Sequence, residues 1–458
     1  MKLKVKTALD TGFMPMALVC REMREGTKEN GQDVLFCVER NQGYQTVYKT
    51  RIYKDGTGHD QENCRFADRI VKTLLWSAGG YRITIVGSDV VYQYIKSTFC
   101  YGGAREFDVR FMERVYEDKF EVLSSDHAHA PENKSSAAPV GRHLDGCRIG
   151  FDAGGSDRKV SAVIDGECVF SEEVVWFPKI NSDPNYHYEG ILNAFKTAAS
   201  HLPRVDAIGV SSAGIYIDNK IMAASLFLQV SDEDFAKTVK TMYIDIAREI
   251  GDDIPLLVAN DGDVTALAGA MNLNENGVLG IAMGTSEAAG YIDMDGNLTG
   301  GLNELAFTPC DIGENAPLDE WSGDYGCGGK YFSQDGVIFL APYAHIELDE
   351  NLSPAEKLKA VQKLMAQGDQ RARDIYETIG AYFGYAIAYY SEFYDIKHVL
   401  VMGRVTSGEG GVILLAKAQE VLDTEFPELA KKIQLNIPDE KARRVGQSVA
   451  AASLPEIK

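Results

Sequence analysis

Gly150-Phe-Asp-Ala-Gly-Gly-Ser-Asp157 and Gly280-Ile-Ala-Met-Gly-Thr-Ser-Glu287 align without a gap at an offset of 130 residues, and the same offset carries Asp165-Gly166 onto Asp295-Gly296. In each copy a glycine turn follows a short apolar run, and nine residues after the serine comes an Asp-Gly pair, the dipeptide that closes tight hairpins. The pattern predicts a strand, a glycine turn and a returning strand, made twice. Strands and helical patterns alternate around both copies, so the chain beyond residue 146 reads as a duplicated α/β architecture.

Turns of this kind can serve chemistry. Glycines let backbone N–H groups approach phosphate oxygens, and in the first hairpin Ser156 adds a hydroxyl while Arg158 or Lys159 adds positive charge. Asp152 stands at the strand end, where it can organise Mg²⁺ through water. The second turn, Gly284-Thr285-Ser286, offers amides and hydroxyls again. Each hairpin alone is equally readable as plain structure. Between them Ile254 to Ala259 reads as a buried strand ending in Asn260-Asp261-Gly262-Asp263, which opens a helical run from Val264 to Met271. A carboxylate there is suited to take the proton of a substrate hydroxyl, which makes Asp261 the candidate base, and Asn260 and Asp263 can share the role. Asn and Asp are also favoured helix N-caps, so the same residues have an ordinary structural reading.

Further along, residues 306–335 are rich in Gly, Asp and aromatics and read as a long mobile loop. Gly326-Cys-Gly-Gly-Lys330 lacks the spacing of a phosphate-binding Walker loop. Lys397 to Met402 reads as a strand, followed by a glycine-rich turn from Gly403 to Gly411 on which an adenosine can rest, then a helix from Val412 to Leu422. The Tyr/Phe/Ile/Ala stripe of 375–390 reads as core.

The chain has 458 residues, enough for two to four compact units. Its 67 Asp+Glu against 46 Lys+Arg, a net charge of -21, argue against nucleic-acid binding, which needs a basic footprint. The acidity is uneven. Residues 1–140 hold 20 Lys/Arg and 19 Asp/Glu, and the remainder 26 and 48. A Ser/Ala/Pro/Asn/His-rich stretch at 124–146 reads as a linker between a small α/β N-terminal domain, 1–123, and the duplicated part, divided at 147–270 and 271–458. Strand patterns at 33–39, 46–53 and 81–87 and a helix from Ser88 to Thr98 fill the N-terminal domain. The eight cysteines are scattered singly, so reduced thiols are expected. With no apolar run of membrane-spanning length and no signal-peptide pattern in the first 20 residues, a cytoplasmic protein is expected.

The order of these motifs resembles the ROK family of sugar kinases and repressors, within the sugar-kinase/Hsp70/actin superfamily, over roughly 147–453. Asp152, Gly154, Gly155 and Ser156 resemble its Asp-x-Gly-Gly-Thr phosphate hairpin, and Gly284-Thr285-Ser286 its Gly-Thr-Gly. Ile208 to Gly214 resembles a stretch near the sugar, Asn260-Asp261 the substrate-binding Asn and catalytic Asp, and Glu304 a glutamate that contacts sugar hydroxyls. Gly403 is similar to the adenosine turn and 446–451 to the closing helix. The resemblance implies an actin-like (ribonuclease H-like) two-lobed ATPase fold and phosphorylation of a sugar hydroxyl. Asp261 would act as base, with Asn260, Glu304, Ser212 and Gly214 on the substrate. Asp152, Gly154, Gly155, Ser156, Lys159, Gly284, Thr285, Ser286 and Gly403 would hold ATP, with Mg²⁺ near Asp152, in a homodimer. Two departures stand out. Phe307 replaces the family's histidine, and the cysteine-rich zinc loop is missing, so no structural zinc is expected. Two other readings compete: a sugar sensor or transcriptional regulator that keeps the fold without the chemistry, and an actin-like ATPase that drives a partner reductase.

Overall fold

Both glycine hairpins are present at the spacing read from the sequence. Cys147–Ala153 pairs antiparallel with Asp157–Ile164. At the 130-residue offset, Val278–Met283 lies beside Glu287–Ile292 in a second sheet. The computed structural model describes residues 2–135, 140–438 and 440–457, without the side chains of 440–445. These residues divide into two units, one of 1–136, 281–289 and 300–437, the other of 137–280, 290–299 and 438–458. The architecture is the α/β, actin-like one expected.

In the second of these units five strands lie in the order Leu256–Asn260, Ala207–Ser212, Cys147–Ala153, Asp157–Ile164, Glu167–Val175. The first three are parallel, and Asp157–Ile164 pairs antiparallel with its neighbours on both sides. The central strand is buried along its whole length, as a strand covered on both faces should be. One cover is the helix Glu440–Ala452, which approaches to backbone contact. A Cβ on Gly150 would lie 2.0 Å from the Ser448 carbonyl oxygen, and one on Gly209 1.7 Å from that of Ala451. Only glycine allows that approach. On the other face Phe151, Phe195, Trp176, Tyr243 and Ile246 form a buried cluster with the helices Pro184–Ala199 and Met242–Ile250.

The other unit contains an N-terminal sheet, ordered Gln45–Tyr53, Gly31–Glu39, Arg82–Val86, Glu121–Ser125. Its strands and the helix Asp89–Thr98, capped by Ser88, follow the sequence reading closely. What local pattern does not show is that this segment is built into the unit carrying 300–437. Tyr385 donates its hydroxyl to the Val5 carbonyl (3.1 Å) and Tyr382 to Asp10 (2.8 Å). Both tyrosines belong to the helix Gln370–Tyr390, which is buried nearly all round. Met16 N donates to the Cys310 carbonyl at 3.1 Å and Ile312 N to that of Met14 at 3.0 Å.

The stretch 306–335, expected to be a mobile loop, is instead fixed by a buried ion cluster. Asp324 accepts from Arg69 at 2.9 and 3.1 Å, and lies 2.7 Å from Arg105 and 2.8 Å from Lys72. Arg105 also takes Asp68, and Lys72 lies 3.8 Å from Asp108. Three cations meet three carboxylates in a region where Lys72 is fully buried. Arg69 and Asp324 are 255 residues apart, a separation that periodicity cannot reveal.

The expected linker, 124–146, is tethered at both described ends. Lys134 pairs with Gln45, while Gly141 N and His143 N donate to the carbonyls of Leu454 and Ser453. Residues 136–139 of that stretch lie outside the described residues. Division by packing and the sequence division at 123, 147 and 270 therefore follow different lines. Among the described residues no helix is long and apolar enough to cross a membrane.

Removing one member of a buried ion cluster strands the charges it balanced. Asp324→Ala is expected to cost about 3–5 kcal/mol, read as a lower urea midpoint at unchanged slope. A loss below about 1 kcal/mol would show that the cluster does not hold 306–335 in place.

Candidate active site

Parallel strands deliver their carboxyl ends to one edge, and here that edge gathers the polar residues. Register places Asp152 opposite Ser211 and Ala153 opposite Ser212, while Asn260 pairs with Ser212 from the other side. Asp152 is only 7% exposed, and one of its oxygens accepts the Ser211 hydroxyl at 2.8 Å. Burial pushes its carboxyl up to about 6, the Ser211 hydrogen bond opposing and the charge of Asp261 adding to the rise.

Asn260 and Asp261 open the helix Asp261–Leu273, and the N-cap is Asn260. Its side-chain oxygen accepts Gly262 N at 2.7 Å, and its amide donates to the Gly214 carbonyl at 2.8 Å. Asp261 is thus the first helical residue, with one oxygen accepting Gly262 N at 3.0 Å. Its carboxyl is raised by burial, while the backbone amides and the charge of Lys179 oppose the rise. Asp263 faces the other way and accepts Tyr291 N at 3.1 Å, so it holds the helix to the following strand. Ser212 is fully buried and its hydroxyl takes those of Tyr216 (2.6 Å) and Tyr243 (3.0 Å), which makes it a brace for the strand end. Gly214 sits at φ 140, where a Cβ would meet the Ala223 carbonyl at 2.5 Å.

The turn of the first hairpin is open to solvent at Gly155 and Ser156. Lys159 pairs with Asp157 at 3.1 Å. Arg158 stacks over Trp176, 5.6 Å from the ring centroid, and so braces that ring. Trp176 in turn donates its backbone N to Ser156 O (3.1 Å) and its indole N to Gly154 O (2.7 Å), fixing the turn from below. The oxygen-rich set of Asp152, Ser211 and Asp261, with both carboxyls raised by burial, suits a hard cation such as Mg²⁺.

The 300–437 unit brings a second group together. Gly284 N donates to Ser286 O within the second turn (3.0 Å), and Gln334 N donates to Gly284 O (2.9 Å). Gly403, at φ 104, lies against the same turn: a Cβ there would be 2.3 Å from Met283 O, and Val405 N donates to that carbonyl at 3.1 Å. The two glycine turns at 284–286 and 403 are therefore neighbours.

Glu304 is set by the N-terminal segment. Its backbone N donates to Trp76 O, and Asn303 N to Ser77 O, both at 2.9 Å, at the end of the helix Asp60–Ser77. Phe307, standing where the resembled family has histidine, stacks on Trp76 with centroids 4.1 Å apart. Cys310 and Cys327 are buried, and burial pushes the Cys327 thiol up to about 12. A cavity of about 790 Å³ elsewhere in this unit is lined by Arg65, Arg69, Arg105, Asp311 and Tyr325, away from the candidate residues.

Two residues escaped the sequence reading. Lys179 lies beside Gly155, far enough along the chain that no motif includes it. Glu287 directly follows the second turn and is visible as the acid that ends Gly-Thr-Ser-Glu. It is 4% exposed, and among the described residues neither carboxylate oxygen has a hydrogen-bond partner. Burial, with the nearby charge of Glu304, pushes it up to about 8.

No protein-family model matches the sequence, and no curated protein matches it. Solved structures do match in fold. A ROK family transcriptional regulator, a homolog of the E. coli MLC protein, aligns at TM-score 0.54 and 18% identity over 68% of this chain and 79% of its own. A ROK hexokinase from Thermus thermophilus aligns at TM-score 0.50 and 18% identity over 66% of this chain and 97% of its own. A ROK family glucokinase from Streptomyces griseus, solved with glucose and AMPPNP, aligns at TM-score 0.47 and 19% identity, over 68% and 99%. The chain thus has the fold of ROK proteins over about two thirds of its length, and that fold serves both kinases and a regulator.

Glu287 has a consequence for stability. Its folded value lies above the ordinary 4.5, so the folded chain holds a proton that the unfolded chain releases as pH rises from about 4.5 to about 8. Stability should fall across that window and the fall should cease above it. Glu287→Gln cannot lose the proton. The difference between variant and parent in denaturant unfolding should therefore shift in the variant's favour by ~2 kcal/mol or more between pH 5 and 8.5. Parallel pH profiles would show that Glu287 ionises normally.

Proposed function

We propose that the protein is an ATP-dependent kinase that phosphorylates a hydroxyl of a sugar or sugar derivative, with Asp261 as general base. The carrying observation is the pair of raised carboxyls, Asp152 and Asp261, at the ends of the two strands that flank Ala207–Ser212, beside an open glycine turn. A base must be able to accept a proton near neutral pH, and a carboxylate lifted by burial accepts one more readily than an exposed one. Asp261 has one oxygen engaged by Gly262 N. The helix N-terminus there favours the anion and opposes the rise that burial causes.

The other roles are those that the resemblance to sugar kinases implies. Asn260 and the Gly214 backbone form one wall for the sugar, and Glu304 supplies a hydroxyl acceptor. The backbone of Gly154, Gly155 and Ser156 and that of Gly284, Thr285 and Ser286 receive phosphates, and the Gly403 turn receives the nucleoside. Lys159, bonded to Asp157, tunes the first turn. Mg²⁺, when bound with ATP, would be held with Asp152 and would offset phosphate charge. A homodimer in the cytoplasm completes the reading. A sensor that binds sugar without turning over ATP is the second reading, favoured by the likeness in fold to a ROK regulator.

The test is coupled ADP release with Mg·ATP over hexoses, amino sugars, N-acyl sugars and polyols. Turnover with at least one is expected. Asp261→Asn should lower it by about 10²–10⁴-fold with folding intact, and activity should decline as pH falls through about 6, where Asp152 becomes protonated. If every compound stays at the ATP-only background while sugars still raise the melting temperature, the sensor reading replaces this one.

A further inference from the structure

The first glycine hairpin has a cation laid across it that no motif of the sequence marks. Lys179 belongs to the single turn Pro178–Ile180 that follows the strand Glu167–Val175. A Cβ placed on Gly155 would lie 2.9 Å from Lys179 Cε and 3.2 Å from its Nζ, so the ammonium group sits directly over the turn. Gly155 has no side chain, and the lysine stem occupies the space one would need.

That placement is held from both sides. Before the lysine, Trp176 is bonded through its backbone N to Ser156 and through its indole to Gly154. At the lysine, the Pro178 carbonyl accepts the ring of the fully buried His187 at 3.0 Å. After it, Asn181 N donates to Pro178 O at 3.3 Å and the Asn181 side chain to Phe177 O at 2.7 Å. The backbone is therefore set before any ligand arrives, while the side chain is exposed and free to adjust.

Charge points the same way. Lys159 is paired with Asp157 at 3.1 Å, whereas no carboxylate lies within 4 Å of the Lys179 ammonium among the described residues. Its field reaches Asp261, whose carboxyl it pulls down against burial. An unneutralised cation over a glycine turn, within electrostatic reach of a base, is placed to meet an anion arriving between them.

We propose that Lys179 is a phosphate-binding residue that receives the terminal phosphates of a nucleoside triphosphate on the 154–156 turn. This rests on the kinase reading only in taking that turn as a phosphate site. As a point charge on a flexible stem, a lysine can follow a phosphoryl group through its transfer.

The experiment uses the full chain and isothermal calorimetry with Mg²⁺ plus inorganic tripolyphosphate, and with Mg·AMPPNP, on the parent, Lys179→Met and Lys179→Arg. The lysine is exposed, so all three should share one melting temperature. The methionine variant is expected to bind both probes at least tenfold more weakly, with a shallower salt dependence, and the arginine variant to recover most of the loss. Equal binding by parent and Lys179→Met would overturn the assignment, as would a parent that binds neither probe. Weakened binding in a protein that phosphorylates none of the sugars would keep the assignment and remove the kinase reading. Unchanged binding alongside turnover abolished by Asp261→Asn would do the reverse.

Discussion

The buried cluster around Asp324 is the constraint on which the rest of the 300–437 unit depends. Lys72, Arg69 and Arg105 come from the N-terminal segment, and the carboxylate that joins them comes from a stretch some 250 residues later. Burying three cations and three anions is costly, and the cost is met only when every partner is present. A chain that must satisfy such a cluster has few ways to arrange the pieces that carry it. Segment 306–335 can therefore be poor in regular structure and still fixed, because its position is set by charge pairing and by the hydrogen bonds of Asp311 to Met14 N, Gly313 N and the Tyr331 hydroxyl.

At the strand ends of the other unit the same physics runs in the opposite sense. Asp152 and Asp261 are buried carboxyls with no ion-pair partner among the described residues, and burial raises both. A purely structural site would pair them, as Asp324 is paired. Hydrogen bonds hold each in place, Ser211 on one and Gly262 N on the other, without supplying the missing charge. Residues kept in an electrostatic deficit while geometrically fixed are those expected where a cation or a cationic complex is to be received.

The fold was readable in the sequence wherever it is local. The paired hairpins showed because a strand, a turn and an Asp-Gly closure must recur at fixed spacing when a lobe is copied, and helix starts showed through Ser88 and Asn260. Candidate residues that lie on those elements, Asp152, Gly154 to Ser156, Asn260 and Asp261, were readable for the same reason. What escaped depends on distance along the chain. Lys179 reaches Gly155 only because Trp176 folds the chain back over the turn. The role of the N-terminal segment rests on ion pairs between remote residues. The surroundings of Ser212 were not readable either, because the two tyrosines that donate to its hydroxyl, Tyr216 and Tyr243, lie on other elements.

Glu304 shows what the N-terminal segment does for the candidate site. Its backbone is hydrogen-bonded to the last turn of the helix Asp60–Ser77, and Phe307, three residues on, is stacked on Trp76 from that same turn. Trp76 is itself fixed by its indole bond to Asp108, a member of the buried ion cluster. A histidine at 307 would put a polar ring into this aromatic contact, and its nitrogens would need partners that Trp76 and Phe107 do not offer. A phenylalanine at 307 thus suits the aromatic contact that the N-terminal segment makes at this point. The glutamate is held by that segment, through one continuous path of hydrogen bonds, ring stacking and ion pairs from Asp324 to Glu304.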